Sequence, residues 1–298
     1  RADYDANMLN HQGDLGQSSS RTPTAIAPLD RLSLLTSLVL VGLTLSLILE
    51  LPTRRIEFSF LGSEASVTVS GTWLIAFLLA ALTAAGVNSI ARTHPRVHLG
   101  ETRYIFILWI LPALIIVTAT MLLTLTDVRA YGAFELIGVA LAGAFMVAVI
   151  SAEYVTIDLN DRWYSAARLG VNLAVYLAAL ILFATIYSWK LRSLYSSPAI
   201  GLAAGLLALE LLRGSESDFG RTWLYAAAVG LSMGEIVWGL NYWSLTGILG
   251  GALLLVFFYA LTGVAQQYLW NRLNKIVFAE FTMIVLGAIA LLFLLRPH

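Results

Sequence analysis

Glutamates set within apolar runs are the residues of this chain best placed to do chemistry. The deepest is Glu235, in the stretch GLSMGEIVWGLNYW (230–243). A carboxyl group in hydrocarbon is either protonated or paired, because desolvation disfavours its charged form. On a helix, Glu235 shares a face with Ala228, Ser232, Gly239 and Tyr242. That small and polar face predicts contact with protein rather than lipid, and so a central helix. Two chemistries fit it. One is a proton or cation site with Ser232 and Tyr242 beside it. The other is a neutral glutamate acting as a hydrogen-bonding strut between helices.

Glu135 and Glu153 form a second candidate set. They stand 18 positions apart, which is five helical turns, so they share one face about 27 Å apart. Gly138, Ala142 and Met146 lie between them on that face. With nothing polar mid-stripe to relay a proton, this reads as a packing seam with an interfacial glutamate at each end. Glu50, Glu210 and Glu280 lie near the ends of apolar runs and read as interfacial side chains.

Three GxxxG pairs permit close helix approach: Gly201 with Gly205, Gly230 with Gly234, and Gly247 with Gly251. They predict a tightly packed cluster of the sixth, seventh and eighth apolar runs. Asn88 and Asn172 are candidate cross-helix hydrogen bonders. Pro112 is a candidate kink.

Other chemistries are excluded or unsupported. The chain has no cysteine, so thiolate nucleophiles, disulfides and cysteine-held clusters are ruled out. The histidines are His11, His94, His98 and His298, and none lies in an apolar run. Histidine ligation of haem or chlorophyll inside a membrane is therefore not available. His94, His98 and Glu101 sit in THPRVHLGE, where Pro95 argues against the continuous helix that an i, i+4 zinc pair needs. There is no HExxH, phosphate loop, GxSxG or dinucleotide fingerprint. No catalytic residue, metal or cofactor is assigned.

The elements that must position these residues follow from composition. Only 12% of the 298 residues are charged and 59% are hydrophobic, against about 25% charged in soluble domains. Mean hydropathy is +0.80. Apolar runs of about 20 residues recur, the length that crosses a hydrocarbon core. Nine candidate spans lie near 32–51, 72–91, 104–125, 132–153, 170–189, 198–212, 222–242, 244–265 and 277–295. The sixth is short. The seventh and eighth are joined so closely that they form a tight hairpin, or one of them is re-entrant.

The expected class is an all-α polytopic integral membrane protein. Residues 1–30 read as a flexible tail and 31–298 as one helical domain. The stretch 54–71 alternates (Ile56, Phe58 and Phe60, then Val67 and Val69 beyond a turn) and reads as a β-hairpin. From Arg21 onward, eleven basic residues fall on the tail's side of the stack and six on the other. The positive-inside rule then places the N-terminus in the cytoplasm of a plasma membrane and the hairpin and C-terminus outside it. In DLNDRWYSAAR (158–168), Arg162 and Arg168 are candidate headgroup binders in an interfacial turn. TWLIA (72–76) and TWLYA (222–226) hint at an inverted repeat.

Net charge is zero, with 18 basic and 18 acidic residues, so a nucleic-acid partner is not expected. The expected partners are the lipid bilayer and other proteins, met within the membrane or at the hairpin. No complete site is visible. The reading that follows is a non-enzymatic helical subunit or scaffold of a membrane assembly. The alternatives are a small-solute or proton-coupled transporter using Glu235, and an intramembrane lipid-modifying enzyme.

Overall fold

A backbone inside hydrocarbon must satisfy its own hydrogen bonds, so each apolar run becomes a helix. A computed structural model describes residues 27–294 apart from 50–51, 53, 61–62, 70, 99–104, 126–131, 190–192, 215–218 and 244. The side chains of 54–69, 98, 124–125, 132–135 and 219 are also outside that description. Among the described residues, nine helices are long and apolar enough to cross a membrane. They are α1 (Leu29–Ile48), α2 (Gly71–Ala91), α3 (Ile110–Leu125, with the 3₁₀ turn Ile105–Ile107 before it completing the span), α4 (Gly132–Val155) and α5 (Tyr164–Ser188). Then follow α6 (Ser193–Leu212), α7 (Phe219–Leu240), α8 (Gly247–Leu269) and α9 (Lys275–Leu294). Between α1 and α2, strands β1 (Arg54–Phe60) and β2 (Ser63–Val69) pair antiparallel, with Arg54 opposite Val69 and Phe60 opposite Ser63.

Local chemistry sets the ends. Asn274 caps α9, its Oδ1 accepting the Val277 N–H at 2.8 Å. Asn271 takes the left-handed conformation, φ 55°, just past α8. The N–H groups of Asn271 and Arg272 bond back to the carbonyls of Tyr268 and Gln267, each at 2.9 Å. This is a Schellman turn. Within the helices, the hydroxyls of Thr36, Thr44, Thr83, Thr118, Thr120 and Thr262 donate to the carbonyl four residues back. These polar side chains thus need no partner on another helix.

Two prolines sit within helices, and Pro112 does not act as the kink expected of it. Pro112 falls in the first turn of α3, where its missing N–H costs no helical bond and causes no kink. Pro198 lies inside α6, and there it deprives the Leu194 carbonyl of its helical donor. The helix nevertheless starts at Ser193, so the sixth span is a full 20 residues rather than a short one. The join between α7 and α8 is a tight turn held from α5 and α6. The Tyr187 hydroxyl lies 2.9 Å from the Leu240 carbonyl and 3.0 Å from that of Trp243. Asn241 Nδ2 donates to the hydroxyls of Ser193 and Ser196 at 3.0 and 2.8 Å. Neither α7 nor α8 is re-entrant by length.

Packing forms two clusters. Leu35, Val39, Leu43, Leu79, Val87, Ile116, Met146 and Ile150 join α1 to α4. Val175, Phe183, Leu207, Met233, Leu254 and Phe258 join α5 to α8. Helix α3 contributes to both, through Ile116 on one side and Leu111 and Ile115 on the other, and Leu108 just before it joins the first. Helix α9 has no buried residue and rests mainly on α8.

The glycine pairs split between two seams. Helices α6 and α7 meet backbone to backbone: a Cβ on Gly230 would stand 2.6 Å from the Gly201 carbonyl oxygen and 3.0 Å from the Gly205 Cα. Gly251, by contrast, faces Ala184 of α5, with a Cβ only 2.5 Å from the Ala184 Cα. The expected close cluster of spans 6, 7 and 8 is therefore an α6–α7 seam and a separate α5–α8 seam. The physical reason is register: Gly247, Gly250 and Gly251 all approach α5 residues (Ser188, Tyr187 and Ala184).

This geometry makes a test. Gly230→Ala forces a methyl into backbone and should destabilise the protein by about 1–3 kcal/mol. Gly287→Ala on α9, with nothing within 4 Å, should be neutral or stabilising by up to about 1 kcal/mol. Thermal unfolding of both variants in detergent checks the difference.

Candidate functional site

Four charged side chains meet where α4 ends, α5 begins and α6 ends. Glu153 is 1% exposed, Glu210 0% and Arg213 9%. Arg213 Nη2 pairs with Glu153 Oε2 and also reaches the Thr156 hydroxyl at 2.8 Å. Its Nε holds Glu210 Oε1 at 2.8 Å. The same oxygen lies 3.4 Å from Arg168 Nη1. Basic and acidic side chains thus alternate along a chain: Arg168, Glu210, Arg213, Glu153. Arg168 Nη2 also donates to the carbonyls of Glu210 and Leu211 at 3.1 and 2.7 Å. Those carbonyls lie in the last turn of α6, where a cation is favoured by the helix dipole. Glu153 Oε1 and Glu210 Oε2 are buried without a hydrogen-bond partner among the described residues.

This cluster corrects several expectations. Glu210 and Glu153 are not interfacial side chains; both are buried in ion pairs. Arg168 is no headgroup binder, because its guanidinium is turned into the bundle. Arg162 does stay outside, 5.4 Å from the centre of the Trp163 ring. The available signal was Glu210 and Arg213, three apart on one helix. No spacing pointed to their partners on α4 and α5. The side chain of Glu135 lies outside the described residues, as do Glu50, His98 and Glu101 as side chains. Glu280 is exposed on α9. Among the described residues, Asn88 bonds locally to Arg92, and Asn172 Oδ1 is buried without a partner.

Glu235 is also elsewhere than its helical face suggested. It is exposed, on the rim of a groove of about 600 Å³ along the outer side of the α6–α7 pair. Ser232 is half-buried and Tyr242, in the turn after α7, is 82% exposed. The three do not form an enclosed site. The close α6–α7 seam explains this: Gly230 and Gly234 face α6, which turns Glu235, one residue beyond Gly234, away from the packed side. The groove is lined by Gly201, Gly205, Leu209, Ala227 and the two indoles Trp223 and Trp238, among others. The repeat hinted at by TWLIA and TWLYA places its tryptophans differently. Trp73 packs edge-on to Trp189, centroids 5.2 Å apart, whereas Trp223 is 43% exposed at the groove.

Beside the cluster, His94 is 1% exposed. Its Nδ1 accepts the Arg96 N–H at 3.2 Å and its ring meets Tyr154 edge-on, centroids 4.8 Å apart. Arg96 and Asp158 pair at 3.0 Å above it. No group of three or more potential metal ligands occurs among the described residues.

Two outcomes follow. Arg213→Met strands two buried carboxylates and should destabilise the fold by about 3–5 kcal/mol. Arg31→Met, which removes an exposed contact to Ser89, should change stability by less than about 1 kcal/mol. Denaturation in detergent compares them. Burial holds the His94 imidazole below its usual 6.5, helped by Arg96 and opposed by Asp158 and Asp161. Just below pH 6.5 the unfolded chain therefore binds the proton that the folded chain refuses, and stability falls on acidification. His94→Phe should flatten that fall in melting temperature between pH 7.5 and 5.5.

The model of a family described as protein of unknown function (DUF5656) matches residues 51–295 of the chain. No curated protein and no solved structure matches it.

Proposed function

The chain belongs to the DUF5656 family, and from that premise we propose that it is a non-enzymatic helical subunit or scaffold of a membrane assembly. Helix α9 carries the reading. It has no buried residue and is held along one seam on α8. The seam is made by Phe281 against Gly263 and Tyr259, and by Phe293 against Trp243. Most of its circumference is left for another chain. Met283 and Leu286, 71% and 59% exposed and one turn apart, mark that open face. The ionic cluster supports the same reading, since its charges bind helix to helix and do not converge on an open cavity. The β-hairpin, on the extracytoplasmic side by the charge bias, is a second contact for a partner.

Mild extraction followed by native mass spectrometry tests this. A fixed protein partner is expected. Met283→Trp with Leu286→Trp should reduce the complex at least about tenfold, the scale of 1.4 kcal/mol, while the chain stays folded. A monodisperse lone monomer overturns the reading.

A further inference from the structure

The α6–α7 groove differs from α9 in shape and chemistry. It runs from Trp223 to Trp238, fifteen residues of α7, or about 22 Å of helix. Its lining is almost wholly apolar, with Leu202, Leu206, Leu209 and Leu231 along its walls. Such a lining suits a hydrocarbon chain laid along the seam. Its floor is narrow because glycines bring the two backbones together: Gly205 lies 3.4 Å, by its would-be Cβ, from the Ala226 carbonyl oxygen.

The polar content of the groove is confined to one end. The Ser197 hydroxyl is spent on the Gly234 carbonyl at 2.7 Å. Glu235 is exposed and makes no hydrogen bond or ion pair with the described residues. It stands five residues before the end of α7, about 8 Å from that end. A carboxylate that close to a span end lies near the headgroup layer, where a lipid amine can meet it. Trp238, 51% exposed, lies one turn further toward the same surface, where an indole suits the interface. Everything toward Trp223 is apolar.

We propose that this groove binds one lipid, with an acyl chain lying along the α6–α7 seam and a primary-amine headgroup paired to Glu235. The charge selects the headgroup. An anionic phosphodiester lipid with no amine is repelled. A quaternary ammonium matches the charge but has no N–H to donate to the carboxylate. An ethanolamine headgroup supplies both. The occupant belongs to the leaflet on the side of the α7–α8 turn. This site is separate from the α9 face and stands whether or not a protein partner binds there.

The test is native mass spectrometry of the full chain, delipidated and re-exposed to phosphatidylethanolamine, phosphatidylglycerol or phosphatidylcholine. Phosphatidylethanolamine should be retained about tenfold better than phosphatidylglycerol, the scale of one charge-assisted hydrogen bond. Glu235→Gln should remove that preference while leaving the melting temperature unchanged. Ala227→Trp, at an exposed lining position, should remove the retained lipid altogether. Equal retention of the three lipids, or a preference that survives Glu235→Gln, overturns the proposal. So does a protein or second copy of the chain whose binding is lost in Ala227→Trp, because the groove then belongs to a helix. A failure here leaves the complex lost in the Met283→Trp and Leu286→Trp variant untouched.

Discussion

The bundle depends on four charges that cannot be left alone in a nonpolar interior. Glu153, Arg168, Glu210 and Arg213 come from three helices, and each is tolerable only beside the others. A buried ion pair is a poor source of net stability, but it is demanding about geometry. Here the demand falls on α4, α5 and α6 together. Arg213 spans the gap from α6 to the last turn of α4. Arg168 reaches from α5 to the carbonyls that end α6. Sliding any one of these helices by a turn would separate charges that have no other partners nearby. The cluster therefore works as a register lock at one face of the membrane.

At the opposite face the lock is made of neutral hydrogen bonds. Tyr187 reaches the carbonyls on either side of the α7–α8 turn, and Asn241 reaches two serines of α6. Between the two faces the seams are glycine on backbone. Hydrocarbon offers no hydrophobic drive for helices to associate, so close contact and matched polar groups must supply it. The α6–α7 seam shows the consequence. Bringing those backbones together buries Gly230 and Gly234 and turns Glu235 outward. The groove and its carboxylate are thus by-products of the same close approach that holds the pair.

Much of this was legible in the residues. Run length and the scarcity of charge specify nine spans because a membrane core has one thickness and a helix one rise. The alternation of Ile56, Phe58 and Phe60 marks a strand because its period is two. The glycine pairs are close-approach sites because no other residue lacks a Cβ. Each of these properties is local, so it can be read within one helix or one strand.

What tertiary structure alone decided is which faces meet. Span 8 carries a GxxxG pair, but nothing in that pair says whether α5 or α7 fills it. The face of Glu235 looks polar enough for protein, yet the neighbouring glycine face won the contact with α6. Only one neighbour fits at about 8 Å, and the flatter surface allows it. Glu210 and Arg168 sit near the ends of their spans, where hydropathy suggests water. Their burial depends on charges from three helices meeting at one corner, Arg168 and Glu210 being 42 positions apart in sequence. Composition determined that the chain would be a stack of membrane-length helices. The pairing of helix faces determined which of its polar residues are locked inside and which, like Glu235, are left exposed.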